Sequence, residues 1–487
     1  MDMDHDACYR AIAARDARFD GVFFVGVTTT GIYCRPVCPA RTPGRDRCRF
    51  FATAAAAERD RFRPCLRCRP ELAPGHAPVD ANGRLARGVA ARIEAGALND
   101  NGGVESLAGE FGLSSRQLRR VVRQELGVSP VQLAQTHRLL LAKQLLGESH
   151  LRIIDVAFAS GFGSVRRFNA LFRSHYGLSP AEVRRTARPA PAGTGVRLTL
   201  AYRPPLAWDE LLGFLAARAI AGVECAAAGR YWRTARVAGH RGWLAVAAAA
   251  GRNALAVEFP ATLVPVIPAL LARVRHLFDL NARPDVIAAH LACDTRLGPT
   301  VRQCPGLRVP GAFDGFEMAV RAVLGQQISV RAAQTLAGRF AAALGEAIET
   351  PLAGLDRVTP TPERIADAGP GVLSALGVTR ARADCLRTLA RAVADGRVRL
   401  EPGPDPVAAL GRLQELPGIG PWTAQYIAMR ALRWPDAFPD GDLGLLRAAG
   451  ETSARRLRAA AEAWRPWRAY AAIHLWRTLK VRADLRG

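Results

Sequence analysis

The hydrophobic pattern changes character along the chain. Between residues 101 and 186 a short signature occurs twice, as Leu126–Pro130 (LGVSP) and Tyr176–Pro180 (YGLSP), fifty residues apart. Upstream of each lies an apolar residue followed by alanine, Leu107–Ala108 and Val156–Ala157, with Gly112 or Gly161 four residues further on. A glycine suits a tight turn and an alanine lets two helices approach closely. The repeat therefore predicts two helix-turn-helix units in tandem, with second helices at Ser115–Gln124 and Ser164–Ser174. Phe168 and Phe172, four apart, share a helix face and are expected in the core. From 195 to 260 short strand-like runs (Val196–Ala201, Arg230–Val237, Trp243–Ala248, Ala254–Phe259) surround a helix near Trp208–Ala219, an α+β pattern. Beyond 311 the period is helical throughout.

Three breaks rich in Pro and Gly divide these sections: Pro70–Gly83, Arg188–Gly195 and Pro305–Gly315. The expected parts are 1–78, 84–188, 195–310 and 311–487, mainly α overall. The longest apolar runs, such as Gly242–Gly251, fall well short of the roughly 20 residues a membrane span needs. Met1–Asp6 is acidic and does not read as a secretory signal. A soluble cytoplasmic chain, associated with the nucleoid, is expected.

Charge sharpens this picture. The formal net charge is +24, and residues 1–190 hold 29 Lys and Arg against 18 Asp and Glu, so the excess is present in both halves. Such a balance suits the phosphate backbone of DNA. A GC-rich genome would give the same Arg and Ala bias.

Of the ten cysteines, Cys34, Cys38, Cys65 and Cys68 cluster. Cys225, Cys293, Cys304 and Cys385 are scattered and are expected to be buried as small apolar residues; Cys8 and Cys48 remain ambiguous. Two close pairs separated by 26 residues match a tetrahedral four-thiolate zinc site, for which a structural role is the usual one on spacing alone.

The residues around the cluster extend this reading. Phe23–Arg41 (FFVGVTTTGIYCRPVCPAR) and Phe62–Cys68 (FRPCLRC) resemble the N-terminal domain of Ada-type methyl phosphotriester acceptors over about residues 5–75. The resemblance implies that Cys34 is both zinc ligand and nucleophile. It also implies DNA contacts from Thr30, Arg41 and Arg63. The chemistry agrees, because zinc holds a cysteine as the nucleophilic thiolate at neutral pH.

Residues 101–186 resemble AraC-type DNA-binding domains through Ser114–Arg120, Gly127–Pro130, Ile153–Ala157, Gly161–Ser164, Phe168–Arg173 and Gly177–Pro180. The resemblance implies two recognition helices in successive major grooves. Arg116, Gln117 and Arg120 on the first and Arg166, Arg167 and Asn169 on the second are candidates for bases or phosphates.

In the last part, Leu416–Ala424 (LPGIGPWTA) leaves bare backbone at Gly418 and Gly420 just before a helix, an arrangement that binds a phosphate. A helix-hairpin-helix module without catalysis would look the same. With Phe316–Ser329, Phe438–Gly444 and Trp464–Tyr470 added, residues 195–482 resemble AlkA-type 3-methyladenine DNA glycosylases. The resemblance makes Asp442 the catalytic carboxylate, with Asp440 the near alternative. Trp422, Tyr426 and Trp476 match the pocket aromatics, Thr423 and the two glycines the DNA grip. Where related lyases carry a lysine before this threonine, Trp422 stands, so a monofunctional enzyme is expected. Gln327 occupies the wedge position where leucine is frequent.

Together these readings predict a small zinc-binding α/β domain, a tandem helix-turn-helix domain, an α+β subdomain and an all-α helix-hairpin-helix glycosylase domain. One Zn²⁺ is expected, and no cofactor for the glycosylase half. The expected partners are double-stranded DNA, both damaged and as a promoter operator, and RNA polymerase, with the chain a monomer and off the membrane. The alternative is a transcription regulator with structural zinc and a catalytically inactive glycosylase-like clamp.

Overall fold

The computed structural model describes residues 5–73, 84–99, 103–187, 195–403 and 405–484. Of the expected breaks Pro70–Gly83 and Arg188–Gly195, residues 74–83 and 188–194 lie outside the described residues. Among the described residues no helix is long and apolar enough to cross a membrane. The chain forms two compact units: one takes residues 1–204, 246–272 and 280–282, the other 205–245, 273–279 and 283–487.

The first unit opens with a four-stranded sheet in the order β3-β1-β2-β4. β1 is Phe24–Val27, β2 Ile32–Cys34, β3 Cys48–Phe51 and β4 Arg63–Pro64. Phe24, Tyr33, Phe51 and Phe62 line one core with Leu118, Val122 and Leu133 from the helices that follow.

Those helices explain the repeated signature as capping chemistry. The second helices are Ser115–Leu126 and Val165–Tyr176, ending at Gly127 (φ +75°) and Gly177 (φ +68°) in the left-handed region. Ser129 and Ser179 then cap the next helices, Pro130–Glu148 and Pro180–Thr186, each in a capping box with Gln132 or Glu182. Pro130 and Pro180 take the first helical position, where no N–H is needed. Gly112 and Gly161, at φ +65° and +86°, make the expected turns. Phe168 and Phe172 are fully buried.

The 19-residue helix Pro130–Glu148 is the spine of this unit. Glu58, on helix Ala54–Arg59, accepts hydrogen bonds from Tyr33 Oη (2.9 Å), Thr136 Oγ1 (2.5 Å) and His175 Nε2 (2.8 Å). At the other end, strand β5 (Val196–Ala201) pairs antiparallel with Ala254–Phe259. The Thr199 N–H donates to Glu148 Oε2 (2.8 Å), and Gln144 Nε2 donates to the Thr199 carbonyl (2.9 Å). These bonds satisfy backbone groups of β5 that would otherwise be orphaned.

The second unit is mainly helical. Strands Glu224–Ala227 and Arg230–Val237 pair antiparallel, the first of them unexpected from sequence. Buried carboxylates anchor the helix Gly315–Leu324 to them: Arg233 donates to Glu317 (2.6 Å) and Arg321 to Glu224 (2.8 Å). Burial opposes ionisation of Glu224, but Arg321 and Arg233 outweigh it and hold its carboxyl below the usual carboxylate range. Of the four scattered cysteines, Cys304 and Cys385 are buried as expected. Cys225 is half-buried and Cys293 exposed, its thiol spent on the Ala289 carbonyl one helical turn back (3.3 Å).

Candidate functional site

The cysteine cluster is built by strand register. β2 pairs antiparallel with β1, placing Cys34 opposite Val25, and parallel with β4, placing Tyr33 opposite Pro64. The Cys65 N–H then donates to the Tyr33 carbonyl (3.0 Å), so the second cysteine pair starts beside the end of β2. The four Sγ atoms lie within 4.8 Å of one another. Backbone N–H groups point at two of them, Arg35 N at Cys68 Sγ (3.3 Å) and Arg67 N at Cys65 Sγ (3.4 Å).

This donor set fits a tetrahedral thiolate-bound zinc. Crowded sulfurs share protons unequally: hydrogen bonding from Cys34 lowers the Cys38 thiol, while Cys38, Cys65 and Cys68 push the Cys34 thiol up. Full ionisation of all four calls for a cation. Cys34, Cys65 and Cys68 are buried, and Cys38 is the most exposed of the set.

A buried polar chain backs the cluster. The Arg35 guanidinium bonds Asp20 and the Cys68 carbonyl. Lys143, 4 % exposed in the middle of the spine helix, donates to the Cys65 carbonyl and to Glu71, both at 2.9 Å. Arg69 bridges Glu71 and Glu148, each at 3.0 Å. Neither Lys143 nor Asp20 stood out in the sequence, since each pairs with residues far along the chain.

Thr30, Arg41 and Arg63 are all exposed. Thr30 and Arg63 come together because the Arg63 N–H donates to the Gly31 carbonyl (2.8 Å) in the β2–β4 pairing. On the helix-turn-helix units Arg116, Arg120, Arg166, Arg167 and Asn169 are exposed. Gln117 is exposed too, but its amide oxygen serves the capping box, accepting from Ser114 N and Oγ at 3.0 Å.

In the second unit, the carboxylate of Asp442 is gripped by three N–H groups. It caps the helix Leu443–Ala449, accepting from Leu445 N (2.9 Å) on Oδ1. Trp476 Nε1 donates to the same oxygen (3.0 Å), and Trp422 Nε1 to Oδ2 (3.1 Å). Asp440 is occupied differently, in an ion pair with the exposed Arg458. Trp422 and Tyr426, one turn apart on helix Pro421–Arg430, stack with centroids 5.3 Å apart and planes 7° off parallel; Trp476 meets Tyr426 edge-on at 6.3 Å. The Tyr426 hydroxyl accepts from Arg430 Nη1 (2.7 Å). Burial would raise this phenol, but Arg430, Arg218 and Arg321 outweigh it and hold it below its ordinary range.

Gly444 makes the grip possible, though sequence reading marked it only as part of the surrounding motif. A Cβ there would lie 2.9 Å from Asp442 Oδ1 and 3.5 Å from Trp476 Cδ1. Upstream, Gly418 (φ +88°) turns the hairpin between helices Pro406–Gln414 and Pro421–Arg430; its Cβ would meet Cys385 Cβ at 2.8 Å. Gly420 caps the second helix and Thr423 is buried in its first turn. Gln327, in the loop after helix Gly315–Leu324, is exposed with φ +53°.

Four family profiles match the chain: the metal binding domain of Ada over residues 7–71, a helix-turn-helix domain over 107–186, the AlkA N-terminal domain over 197–314 and the HhH-GPD superfamily of base excision DNA repair proteins over 320–466. A Mycobacterium tuberculosis protein, named "Probable bifunctional transcriptional activator/DNA repair enzyme AlkA", is 41% identical over 99% of this chain and 97% of its own length. The chain belongs to this family of bifunctional AlkA-type proteins. Its C-terminal region is also 41% identical to the DNA-3-methyladenine glycosylase 2 of Escherichia coli, over 58% of this chain and 96% of that protein. In fold it matches a 3-methyladenine DNA glycosylase from Archaeoglobus fulgidus with a TM-score of 0.50 at 21% identity, covering 57% of this chain and 97% of that one. The chain thus joins an Ada-type zinc-binding region and a helix-turn-helix region to a DNA glycosylase of the helix-hairpin-helix superfamily.

Proposed function

We propose that this protein removes alkyl damage from DNA by two separate chemistries and uses the first to activate transcription. The observation that carries the repair reading is the Asp442 carboxylate, fixed by Trp422, Trp476 and Leu445 beside an aromatic stack.

Hydrolysis of an N-glycosidic bond builds positive charge on the sugar. A carboxylate held by N–H donors is aimed, so Asp442 stabilises that charge and orients the attacking water. An alkylated purine such as 3-methyladenine leaves readily because it already carries positive charge. Flipped from the duplex, it is selected by stacking on Trp422, Tyr426 and Trp476. With Trp422 where a lyase carries its lysine, the reaction ends at the abasic site, and this half needs no cofactor. Gly418 and Gly420 hold the DNA backbone, the buried Thr423 supports them from within the helix in place of the direct contact expected of it, and Gln327 fills the gap the base leaves.

In the N-terminal region Cys34, Cys38, Cys65 and Cys68 would hold one Zn²⁺, which would supply the charge that keeps the sulfurs as thiolates. The Cys34 sulfur attacks the methyl carbon of a methyl phosphotriester. An S–C bond forms, the C–O bond breaks, and the phosphodiester leaves with the electron pair. Methylation removes one thiolate charge from the cluster, which would weaken its repulsion of DNA and tighten binding. Thr30, Arg41 and Arg63 grip the damaged strand. The two recognition helices hold the promoter through Arg116, Gln117, Arg120, Arg166, Arg167 and Asn169, and RNA polymerase is recruited there. The parts are residues 1–78, 84–188, 195–310 and 311–487, acting as a monomer at the nucleoid.

Mass spectrometry after incubation with methylated DNA tests the first chemistry. A gain of about 14 Da on Cys34, the mass of one added methylene on a reactive thiolate, supports it. A gain on Cys38, or none, refutes the assignment.

A further inference from the structure

The loop that carries Gln327 is tied to the DNA-gripping hairpin by its neighbour. Gln326 Nε2 donates to the Gly418 carbonyl (2.9 Å) and to Thr423 Oγ1 (3.0 Å). A primary amide has two N–H donors on that nitrogen, and both are used here. The orientation follows from chemistry, because the Gly418 carbonyl can only accept. The Arg382 guanidinium completes the tie by donating to the main-chain carbonyl of Gln326. Gly418 is itself pinned from behind by Cys385. The next residue, Gln327, is forced to φ +53°, a left-handed conformation that a residue with a side chain adopts at a cost and that needs outside support.

We propose that Gln326 is a positioning residue that makes the wedge loop and the phosphate-gripping hairpin one mechanical unit. When the hairpin closes on a DNA backbone, the Gln326 amide transmits its position 92 residues back along the chain, to the loop holding Gln327. Grip and wedge then act at a fixed spacing. Without the tie, the hairpin still binds a phosphate, but Gln327 no longer arrives at the gap with a defined conformation. The cost falls on base flipping and not on backbone binding. This inference rests on the glycosylase reading of Asp442, and it names the part of that reaction which Gln326 serves.

Gln326→Leu removes both donors and keeps the approximate volume; Gln326→Glu keeps the shape but turns an acceptor toward the Gly418 carbonyl. Each would be compared with the full-length wild type and with Gln327→Ala in single-turnover base release and in 2-aminopurine fluorescence beside an analogue that cannot be cleaved. For a lesion in a well-paired duplex, both Gln326 variants are expected to lose about tenfold in release rate, equivalent to about 1.4 kcal/mol. They should also lose most of the fluorescence rise that reports flipping. Opposite a mismatch, where unpairing costs little, the loss should shrink to under about twofold. Affinity for the intact backbone should change less than the rate. The double variant with Gln327→Ala should be no slower than the slower single one, because both act through one loop.

Equal losses on paired and mismatched lesions, or additive losses in the double variant, would overturn the proposal. If wild type released no base at all, the glycosylase reading would fail. The fluorescence difference between wild type and Gln326→Leu would still decide whether the tie controls flipping.

Discussion

In the N-terminal centre, backbone pairing does the assembly: β2 against β4 sets Cys65 beside Cys34, and main-chain N–H groups face the sulfurs. At the C-terminal centre, side chains do it. Asp442 is held by indole N–H groups from two other helices and by its own helix cap. The first arrangement is backed by the buried Lys143–Glu71 ion pair and by the partly exposed Arg69, so it depends on those partners as well as on the four sulfurs. The second depends on the placement of a few side-chain bonds, and a single added carbon can disturb it. One centre is therefore rigid at a high energetic stake, and the other is readily adjusted.

Removing zinc should produce the largest effect. Binding of structural zinc is worth roughly 10–16 kcal/mol of apparent free energy, so a strong chelator should abolish methyl acceptance and melt the β1–β4 region. Base release by the second unit should persist, measured on the same sample. Loss of both together would break the comparison and make the centres one cooperative system.

Next in size is the buried charge behind the cysteines. Lys143→Met leaves the buried Glu71 with Arg69 as its remaining cationic partner and should cost up to roughly 3–5 kcal/mol in the unfolding of the first unit, read by denaturant titration. Lys143→Met with Glu71→Gln should recover part of this, since the buried carboxylate charge is removed with its ammonium partner.

A smaller loss is expected at Gly444. Gly444→Ala sets a methyl 2.9 Å from Asp442 Oδ1, so the carboxylate must move. Base release should fall about tenfold, or about 1.4 kcal/mol in the barrier, with the melting temperature nearly unchanged. An unchanged rate would mean that the observed grip on Asp442 is not the productive one.

The smallest effect concerns His175. Its hydrogen bond to Glu58 raises its pKa against the opposing pull of burial. A raised folded-state pKa contributes stability that is complete below the unfolded value, about 6.5, and fades as pH rises through the folded value. The stability advantage of wild type over His175→Gln should therefore be largest near pH 5.5 and decline toward pH 8.5. An advantage independent of pH would show that the pair is held by packing alone.

Much of this was legible in the sequence because the signals are local. The LGVSP and YGLSP repeats encode a left-handed glycine cap, a serine cap and a first-position proline in five consecutive residues, each with its own physical requirement. The paired cysteines and the strand at Val196–Ala201 are likewise short-range patterns. Long-range partners were not legible: Lys143 meets Glu71 across 72 residues and Gln326 meets Gly418 across 92. Gln326 and Gly418 each stood in a recognisable motif, but nothing in either motif marks the bond between them, because ion pairs and amide bonds of this kind are made by the fold and leave no periodicity. Gln117 illustrates a different limit. Its position on the recognition helix invited a DNA role, while the helix terminus also needs its amide oxygen. The two-residue β4 and the strand Glu224–Ala227 were too short or too mixed in polarity to register as strands.

The measurement that bears most directly on the account is abasic-site formation in methylated duplex DNA by purified wild type and Asp442→Asn. The account predicts release by wild type and a loss of at least about 10²-fold in the variant, the scale seen when a preorganised electrostatic group is removed from an active site. Equal rates in the two proteins, or no release by either with DNA binding intact, would contradict it.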